Sequence, residues 1–518
     1  MAKTSSPALF DLIHNMSKSE KRYFKVHASK HTIGDQNKYI QLFDFIDQQK
    51  EFNDDEIQHH FKGESFLNKF SIAKNRLYDY IIRALDSYHS KSSIDASIYK
   101  RLHGAEILYN KGLYSHAIKQ LKTAQKIAEK HGKTVILIKI QNQLNEIIET
   151  QGYNSLNIGE LITKEEQFDE LIIEQHYLSK LWFLKSKLFK VINFQGKSRS
   201  KDEVAEFTKL YEAYKRLKQP KSFSFQMKYL SLHFESAYFF AILDYQKCLN
   251  ALHKNLALFQ SQPSQIKNEP HKYLSLLTNS IHLELTTGDN RKIYGLLGEL
   301  NTFERKYNLE SNEDLSIKLF SSIQSTNLMV YIHQAEFEKA IAMEDIIING
   351  LHEYASGLTP FRKAYLSFNL AVAFFGNDQF NESLKWINSV LNDTDLDENE
   401  DILAFAHIAG IIIHYELNHL DYLPYALKST MRFLHKRKRD YSFEKQFLGN
   451  FRKLIKTDDL FKKQHIFQNI LIELQEFEKD PFKSVSFEYF DFKSWLVSKV
   501  KHQRFNLVKR NAYLAKTA

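Results

Sequence analysis

The sequence predicts an all-α protein, and three features of its composition lead to this expectation. Glycine and proline are scarce, at 16 and 7 of 518 residues. Turns depend on both residues, so a protein of many short strands would need more of them. Phenylalanine and tyrosine are abundant, at 40 and 27 residues, and such large flat side chains bury much surface where helices pack. Apolar residues make up 43% of the chain, which is enough for a sizeable core.

Residues 1–95 precede any repeated pattern and are predicted to form a helical cap domain. Ser17 and Glu20 have the spacing of a capping box, which marks the start of a helix. Asn53 precedes the acidic segment "DDEIQHHF", and acids are favourable at a helix N-terminus. The next segment, "FLNKFSIAKNRLYDYIIRALDSYH", predicts a long amphipathic helix.

The same short helix, turn and long helix also fit a helix-turn-helix that reads nucleic acid. The longer helix would then carry four basic residues, Lys69, Lys74, Arg76 and Arg83. However, residues 1–90 contain 13 Lys and Arg against 12 Asp and Glu, whereas nucleic-acid readers usually have a basic face. We favour the terminal cap, and the nucleic-acid interpretation stays open.

A repeated frame occupies residues 96–435. In "LSFNLAVAFFGNDQFNESLKWINSVLND", a break at Asp378 separates two apolar runs, with an aromatic residue two positions later and a small residue five positions later. The frame recurs around Gly112, Leu243 and Ala335, and looser copies centre on Gly152, Gly196, Gly288 and Asn418. Successive breaks lie 40 to 47 residues apart. Each unit is predicted to be a helix, a turn and a second helix, and stacked units would bury apolar faces that one hairpin cannot.

The frame resembles the tetratricopeptide repeat. In the unit around Asp378, the positions of the motif are occupied by Leu370, Ala371, Phe374, Asp378, Phe380, Ser383, Ile387 and Val390. In the first unit, around Gly112, they are occupied by Ala105, Leu108, Gly112, Tyr114, Ala117, Leu121 and Ala124. The units exceed the family's usual length of about 34 residues, and the motif Trp and closing Pro are mostly absent. The resemblance implies a right-handed superhelix, or α-solenoid, of about eight long hairpins with helical caps at both ends.

The chain as a whole also resembles a group of uncharacterised helical-repeat proteins from Bacteroidetes. This resemblance rests on "LFDLIHNMSKSEKRYFK" near the start and "FEYFDFKSWLVSKV" near the end. That group implies no known activity.

The tetratricopeptide resemblance also implies a binding groove, because the first helix of each unit lines the concave face of such arrays. The groove positions of the motif correspond here to Tyr109, His233, Phe240, His282, His333, Phe375 and Tyr415. These side chains mix aromatic and polar character, as recognition surfaces do. Each position alone fits a core residue equally well, as Phe240 and Phe375 illustrate. The prediction is therefore that all seven residues together line the groove.

Residues 436–518 are predicted to form a basic C-terminal helical cap. Residues 432–518 contain 20 Lys and Arg against 10 Asp and Glu, so nearly all of the net charge of +9 lies there. The segment "HKRKRD" supplies candidate contacts to phosphates or to an acidic partner: Lys436, Arg437, Lys438 and Arg439. The alternative is a solvated basic face. An apolar seam is expected to pack on the last repeat, formed by Phe487, Tyr489, Phe490, Phe492, Trp495 and Leu496.

Motifs for catalysis and for cofactor or metal binding are absent from the sequence. The two phosphate-binding loop motifs, G-x-x-x-x-G-K-[ST] and G-x-G-x-x-G, are both absent. The metalloprotease motif H-E-x-x-H and the nucleophile-elbow motif G-x-S-x-G are absent as well. The single cysteine, Cys248, excludes an intrachain disulfide and a thiolate zinc site, and it falls on a small-residue position where a buried, inert thiol is expected. No secretory signal or long uncharged apolar stretch is visible. The sequence therefore predicts a cytoplasmic protein that is no enzyme and needs no cofactor, metal or membrane.

Protein–protein interaction is the function that these features predict. The chain would be a scaffold or adaptor whose groove holds a peptide or helix of a partner. The alternative is a regulator that contacts nucleic acid through the N-terminal helix-turn-helix-like region or the basic C-terminal region.

Overall fold

The protein is all-α within the part of the chain that its structure describes. A computed structural model describes residues 7–30, 36–89, 94–153, 157–287, 290–309, 313–355, 357–396, 401–437, 441–487 and 490–517. These ranges contain helices and no strands, which confirms the all-α part of the predicted fold class. None of the helices in these ranges combines the length and apolar character needed to cross a bilayer. The chain divides into two compact units, Met1–Ile172 and Ile173–Ala518.

The first unit contains two hydrophobic cores. Its helices are α1 Ala8–His14, α2 Lys18–Lys30, α3 Gln36–Gln48, α4 Asp54–His60, α5 Phe70–His89, α6 Ile94–Asn110, α7 Tyr114–Lys130, α8 Thr134–Thr150 and the first part of α9 Ile158–Gln195, with a 3-10 helix at Ser65–Lys69. Helices α1 to α5 enclose one core and α6 to α8 another. Both predicted helix starts are confirmed. The Ser17 N–H donates to Glu20 Oε2 at 2.7 Å, and Asn53 Oδ1 accepts from the N–H groups of Asp55 and Glu56.

The second unit contains the remaining helices. They are the rest of α9, α10 Lys201–Lys215, α11 Phe225–Ala241, α12 Tyr245–Gln260, α13 Pro263–Asn268, α14 Pro270–Thr287, α15 Asn290–Asn301, α16 Phe303–Tyr307, α17 Glu313–His333, α18 Phe337–Ile341, α19 Glu344–Glu353, α20 Pro360–Gly376, α21 Phe380–Leu391, α22 Asp401–Glu416, α23 Leu423–Lys436, α24 Ser442–Leu454, α25 Leu460–Glu478, α26 Pro481–Ser484, α27 Phe492–Lys501 and α28 Phe505–Thr517, with a 3-10 helix at Val485–Phe487. First helices of successive hairpins pack side by side, α14 on α17, α17 on α20 and α20 on α22.

The predicted breaks are helix ends with left-handed backbone. Seven of the eight have φ between 56° and 75°, and the eighth, Gly288, lies outside the described residues. At Gly112 the N–H donates to the Tyr109 carbonyl at 2.8 Å, and the N–H of Leu113 donates to the Leu108 carbonyl at 2.9 Å. This pair of bonds defines a Schellman turn, and it recurs at Gly152, Leu243, Ala335, Asp378 and Asn418.

We expect Gly112→Ala to lower the free energy of unfolding by about 1 kcal/mol, because a side chain disfavours a left-handed backbone. An added Cβ would meet open space there, so the cost would come from the backbone alone. Gly104→Ala is the matched control, because Gly104 lies inside α6, the helix that ends before Gly112, and its added Cβ also meets nothing within 4 Å. It should stabilise by roughly 0.5–1 kcal/mol through helix propensity. Urea unfolding measures both changes in stability. Equal shifts of the two unfolding midpoints would contradict the left-handed backbone assigned to Gly112.

The small residues of the frame lie where the two helices of a hairpin approach closely. Ala117, Cys248, Ala340 and Ser383 are all buried. The Cys248 thiol donates to the Ser236 carbonyl at 3.1 Å, and the Ser383 hydroxyl donates to the Ala371 carbonyl at 2.7 Å. In both hairpins the acceptor lies twelve residues earlier, on the first helix. Burial raises the pKa of Cys248 to about 12, which fits the inert thiol predicted from the sequence.

One part of the repeat differs from the expectation. The units centred on Gly152 and Gly196 were expected to contribute separate helices, but a single helix, α9, runs for 38 residues from Ile158 to Gln195. The segment contains no proline, and its one glycine, Gly159, lies in the first turn, so nothing interrupts the helical hydrogen bonds. The division into domains 1–95, 96–435 and 436–518 stays a prediction.

Candidate functional site

All seven predicted groove residues lie on the first helix of a hairpin. Tyr109 lies on α6 in the first unit, whereas the other six lie in the second unit on α11, α14, α17, α20 and α22. Tyr109 is half-buried, its ring contacts Tyr114 at 5.6 Å between centroids, and its hydroxyl lies 2.9 Å from Thr150 Oγ1.

Three of the predicted positions are covered by the chain's own C-terminal helices. Phe375 is 2% exposed, and its ring packs against Phe490 and Phe505 at 5.2 and 5.4 Å between centroids. The His333 ring contacts Tyr513 on α28. The Tyr415 ring contacts Phe451 on α24 and Phe467 on α25. In this structure these positions therefore belong to an internal interface.

Polar contacts also hold the C-terminal pair α27–α28 in place. Glu416 accepts hydrogen bonds from the Trp495 indole at 2.6 Å and from the Lys499 ammonium. Asp491 caps α27 through the Ser494 N–H at 2.9 Å and pairs with Lys509 on α28 at 3.1 Å. Burial alone would raise the pKa of Asp491, but the Lys509 charge and the Ser494 hydrogen bonds hold it below its ordinary value.

The remaining three positions, His233, Phe240 and His282, are half-buried. Lys197 Nζ lies 4.3 Å from the centre of the Phe240 ring and donates to the Tyr245 hydroxyl at 3.2 Å. His282 Nδ1 lies 3.0 Å from the Met329 sulfur on α17. A lysine thus accompanies the predicted aromatic residue on α11, and a methionine accompanies the predicted histidine on α14.

His233 is the centre of a group that we call the first-helix basic cluster, formed by Lys185, Phe189, Tyr229, His233 and Lys272. Its members come from three consecutive first helices, α9, α11 and α14. The His233 ring contacts Phe189 and Tyr229 at 5.4 and 5.6 Å between centroids. Lys185 Nζ lies 5.8 Å from the Phe189 ring centre, and Lys272 Nζ lies 4.8 Å from that of Tyr229. Each ring that contacts the imidazole is thus also contacted by one lysine ammonium group.

Charge and burial shift the protonation of this cluster. Burial, together with the charges of Lys185 and Lys272, lowers the pKa of His233 to about 4, so its imidazole is neutral near pH 7. Burial and the charge of Lys272 also lower the pKa of Lys185. Among the cluster residues the sequence pattern selected only His233. Lys185 lies eleven residues before the break at Gly196, and His233 lies ten residues before the break at Leu243. An alignment of the repeat units would therefore have placed the two residues at nearly the same position.

The basic segment after α23 is only partly described. Lys436 is exposed, and the Arg437 guanidinium lies 3.9 Å from the centre of the Phe433 ring. Lys438 and Arg439 lie outside the described residues. Further along, basic residues pair with carboxylates: Lys462, Lys479, Lys483, Lys493, Lys499, Arg504 and Lys509.

Within the described ranges, no three His, Cys, Asp or Glu side chains come together as a metal site. No protein-family model matches the sequence, and no curated protein matches it.

Proposed function

We propose that this protein is a cytoplasmic scaffold or adaptor that binds a peptide or helix of a protein partner along its first helices. The helical hairpins would form a right-handed superhelix related to tetratricopeptide arrays. Binding would be non-covalent, by helix-in-groove or extended-peptide capture.

The observation that carries the proposal is the surface around His233, Phe240 and His282. These half-buried side chains come from neighbouring hairpins, and Lys185, Lys197 and Lys272 accompany them. Aromatic residues with adaptable polar neighbours supply binding energy at protein interfaces. The recurrence of one turn geometry at six breaks supports a regular array in which such residues repeat.

The distribution of charge favours a protein partner over nucleic acid. Many basic residues of the C-terminal region are paired with carboxylates, as Lys499 is with Glu416 and Lys509 with Asp491. In the N-terminal region Lys74 pairs with Asp54 on α4. Paired cations contribute less to phosphate binding than the open basic face that nucleic-acid readers present.

Selection of a random peptide-display library on the immobilised full-length protein tests this function. We expect enriched peptides to lose at least about tenfold in affinity for the Phe240→Ala/His282→Ala variant, since interface anchors of this kind contribute more than about 1.4 kcal/mol. Tyr425→Ala is the matched control, because Tyr425 is 73% exposed on the second helix α23. The affinity of the enriched peptides for Tyr425→Ala should stay within about twofold of their affinity for the parent protein.

Two results would overturn the proposal. One is equal binding of the enriched peptides by the double variant and the parent. The other is a selection that enriches nothing while labelled DNA or RNA binds in fluorescence anisotropy, which would favour the nucleic-acid regulator. Circular dichroism of each variant establishes that it is folded.

A further inference from the structure

The first-helix basic cluster has one cationic group without a carboxylate partner among the described residues and a second that is partly neutralised. No carboxylate among the described residues lies within ion-pair distance of Lys185, whose Nζ lies 5.8 Å from the centre of the Phe189 ring. Lys272 is partly neutralised, because it pairs with Glu269 at 3.2 Å and lies 3.5 Å from Gln226 Oε1. One ammonium group therefore has no ion pair among the described residues, and a second shares its charge with Glu269.

The imidazole of His233 is also incompletely satisfied. Its Nδ1 atom is buried and has no hydrogen-bond partner in the described part of the chain. This leaves Nε2 as the nitrogen through which the half-buried ring can meet a ligand. A neutral imidazole with its proton on Nε2 can donate one hydrogen bond there. Buried polar groups are normally hydrogen-bonded, so each exception calls for a physical reason.

Like charges held close together and partly removed from water oppose folding. Burial and the charge of Lys272 both disfavour the charged form of Lys185. An anion between them would turn this repulsion into two ion pairs, with the imidazole as a third contact. Perturbed groups gathered in one place are often functional sites for this reason.

We propose that the first-helix basic cluster binds an oxyanion carried by the partner peptide, either a carboxylate or a phosphoryl group. This inference rests on the proposed function, because it names the chemistry of the peptide bound there. Lys185 forms the principal ion pair, Lys272 adds a second, and His233 Nε2–H donates a hydrogen bond to an anion oxygen. The Phe189 and Tyr229 rings exclude water from one side, which strengthens charge-assisted hydrogen bonds.

Fluorescence anisotropy with labelled oligoglutamate, oligophosphoserine and neutral oligoglutamine tests the proposal. The two acidic peptides should bind the full-length protein more tightly than oligoglutamine, and the tighter of the two identifies the oxyanion. Lys185→Ala should lower the affinity about tenfold, the usual cost of one partly desolvated charge-assisted contact. His233→Leu should lower it roughly fivefold, whereas His233→Gln, which keeps a donor, should recover part of that loss. Lys254→Ala is the matched control, because Lys254 is exposed on the second helix α12.

Three outcomes would overturn the proposal: equal losses for Lys185→Ala and Lys254→Ala, equal binding of acidic and neutral peptides, or no binding by either acidic peptide. The proposed function can fail separately. Display-selected peptides that require Phe240 and His282 but tolerate Lys185→Ala would leave the scaffold standing and remove only the oxyanion site. Oligoglutamate binding that depends on Lys185, with display-selected peptides that bind the Phe240→Ala/His282→Ala variant as tightly as the parent, would retain the site and remove the scaffold.

Discussion

Replacing Trp495 with alanine should lower the free energy of unfolding of the second unit by about 3–5 kcal/mol. The indole is 1% exposed and packs against the rings of Phe447, Phe451 and Phe467. Its Nε1–H also donates to Glu416. Truncation would leave a large cavity between α22, α24, α25 and α27, and it would remove a donor from a mostly buried carboxylate. Guanidinium unfolding followed by circular dichroism measures the loss.

Two further variants separate the loss of packing around the indole from the loss of its hydrogen bond. Trp182→Ala removes an indole that is 53% exposed on α9, and it should cost less than about 1 kcal/mol. Trp495→Phe keeps most of the ring volume and loses the hydrogen bond to Glu416, so it should cost roughly 1–2 kcal/mol. If Trp495→Ala proved no worse than Trp182→Ala, the packing of α27 against α24 and α25 described above would be wrong.

The turns of the repeat were predictable because they depend on local chemistry. A Schellman turn needs one residue with left-handed backbone and a helix before it, and both leave a trace within about ten residues of sequence. At Gly112 the glycine itself marks the turn. At Asp378 and Ala335 the break is visible only because the aromatic and small residues follow at the same distances. The helix ends confirmed in the structure are of this kind.

The covering of Phe375, His333 and Tyr415 was not predictable in the same way. The contacts join Phe375 to Phe490 and His333 to Tyr513, residues more than one hundred positions apart in the sequence. The periodicity of a helix shows which face is apolar, but it does not show which later segment covers that face. The apolar seam around Trp495 was recognised from the sequence and expected to pack on the last repeat. Its indole donates to Glu416 on α22, but its ring packs on α24 and α25, which follow that repeat, and Tyr489 lies outside the described residues.

The first-helix basic cluster was predictable from the sequence only in part. His233 was selected by its place in the repeat, whereas Phe189 and Tyr229 resemble ordinary core aromatics in sequence. Lys185 resembles any lysine on the polar face of a helix. What distinguishes it is that it has no carboxylate partner among the described residues. That property depends on three helices together, so no local pattern carries it.

Gly376→Ala should lower the free energy of unfolding by about 1–3 kcal/mol, although it adds a single carbon atom. The added Cβ would lie 2.2 Å from the nearest carbon of the Phe337 ring, far inside van der Waals contact. Phe337 is the aromatic that follows the break of the preceding hairpin, and it is 3% exposed, with its ring near Phe505. The ring therefore has no free space into which it can move. Guanidinium unfolding measures the difference in midpoint.

Gly410→Ala is the control that isolates this contact. Gly410 is buried inside α22, the first helix of the next hairpin, but its added Cβ would make an ordinary contact of 3.6 Å with Ile387. It should be neutral or stabilise by up to about 1 kcal/mol through helix propensity. Phe337→Leu in the Gly376→Ala background should restore part of the loss, because the smaller side chain makes room for the methyl group. If Gly376→Ala matched Gly410→Ala, the ring of one hairpin would not be wedged against the helix of the next, and the close stacking of these repeats would have to be abandoned.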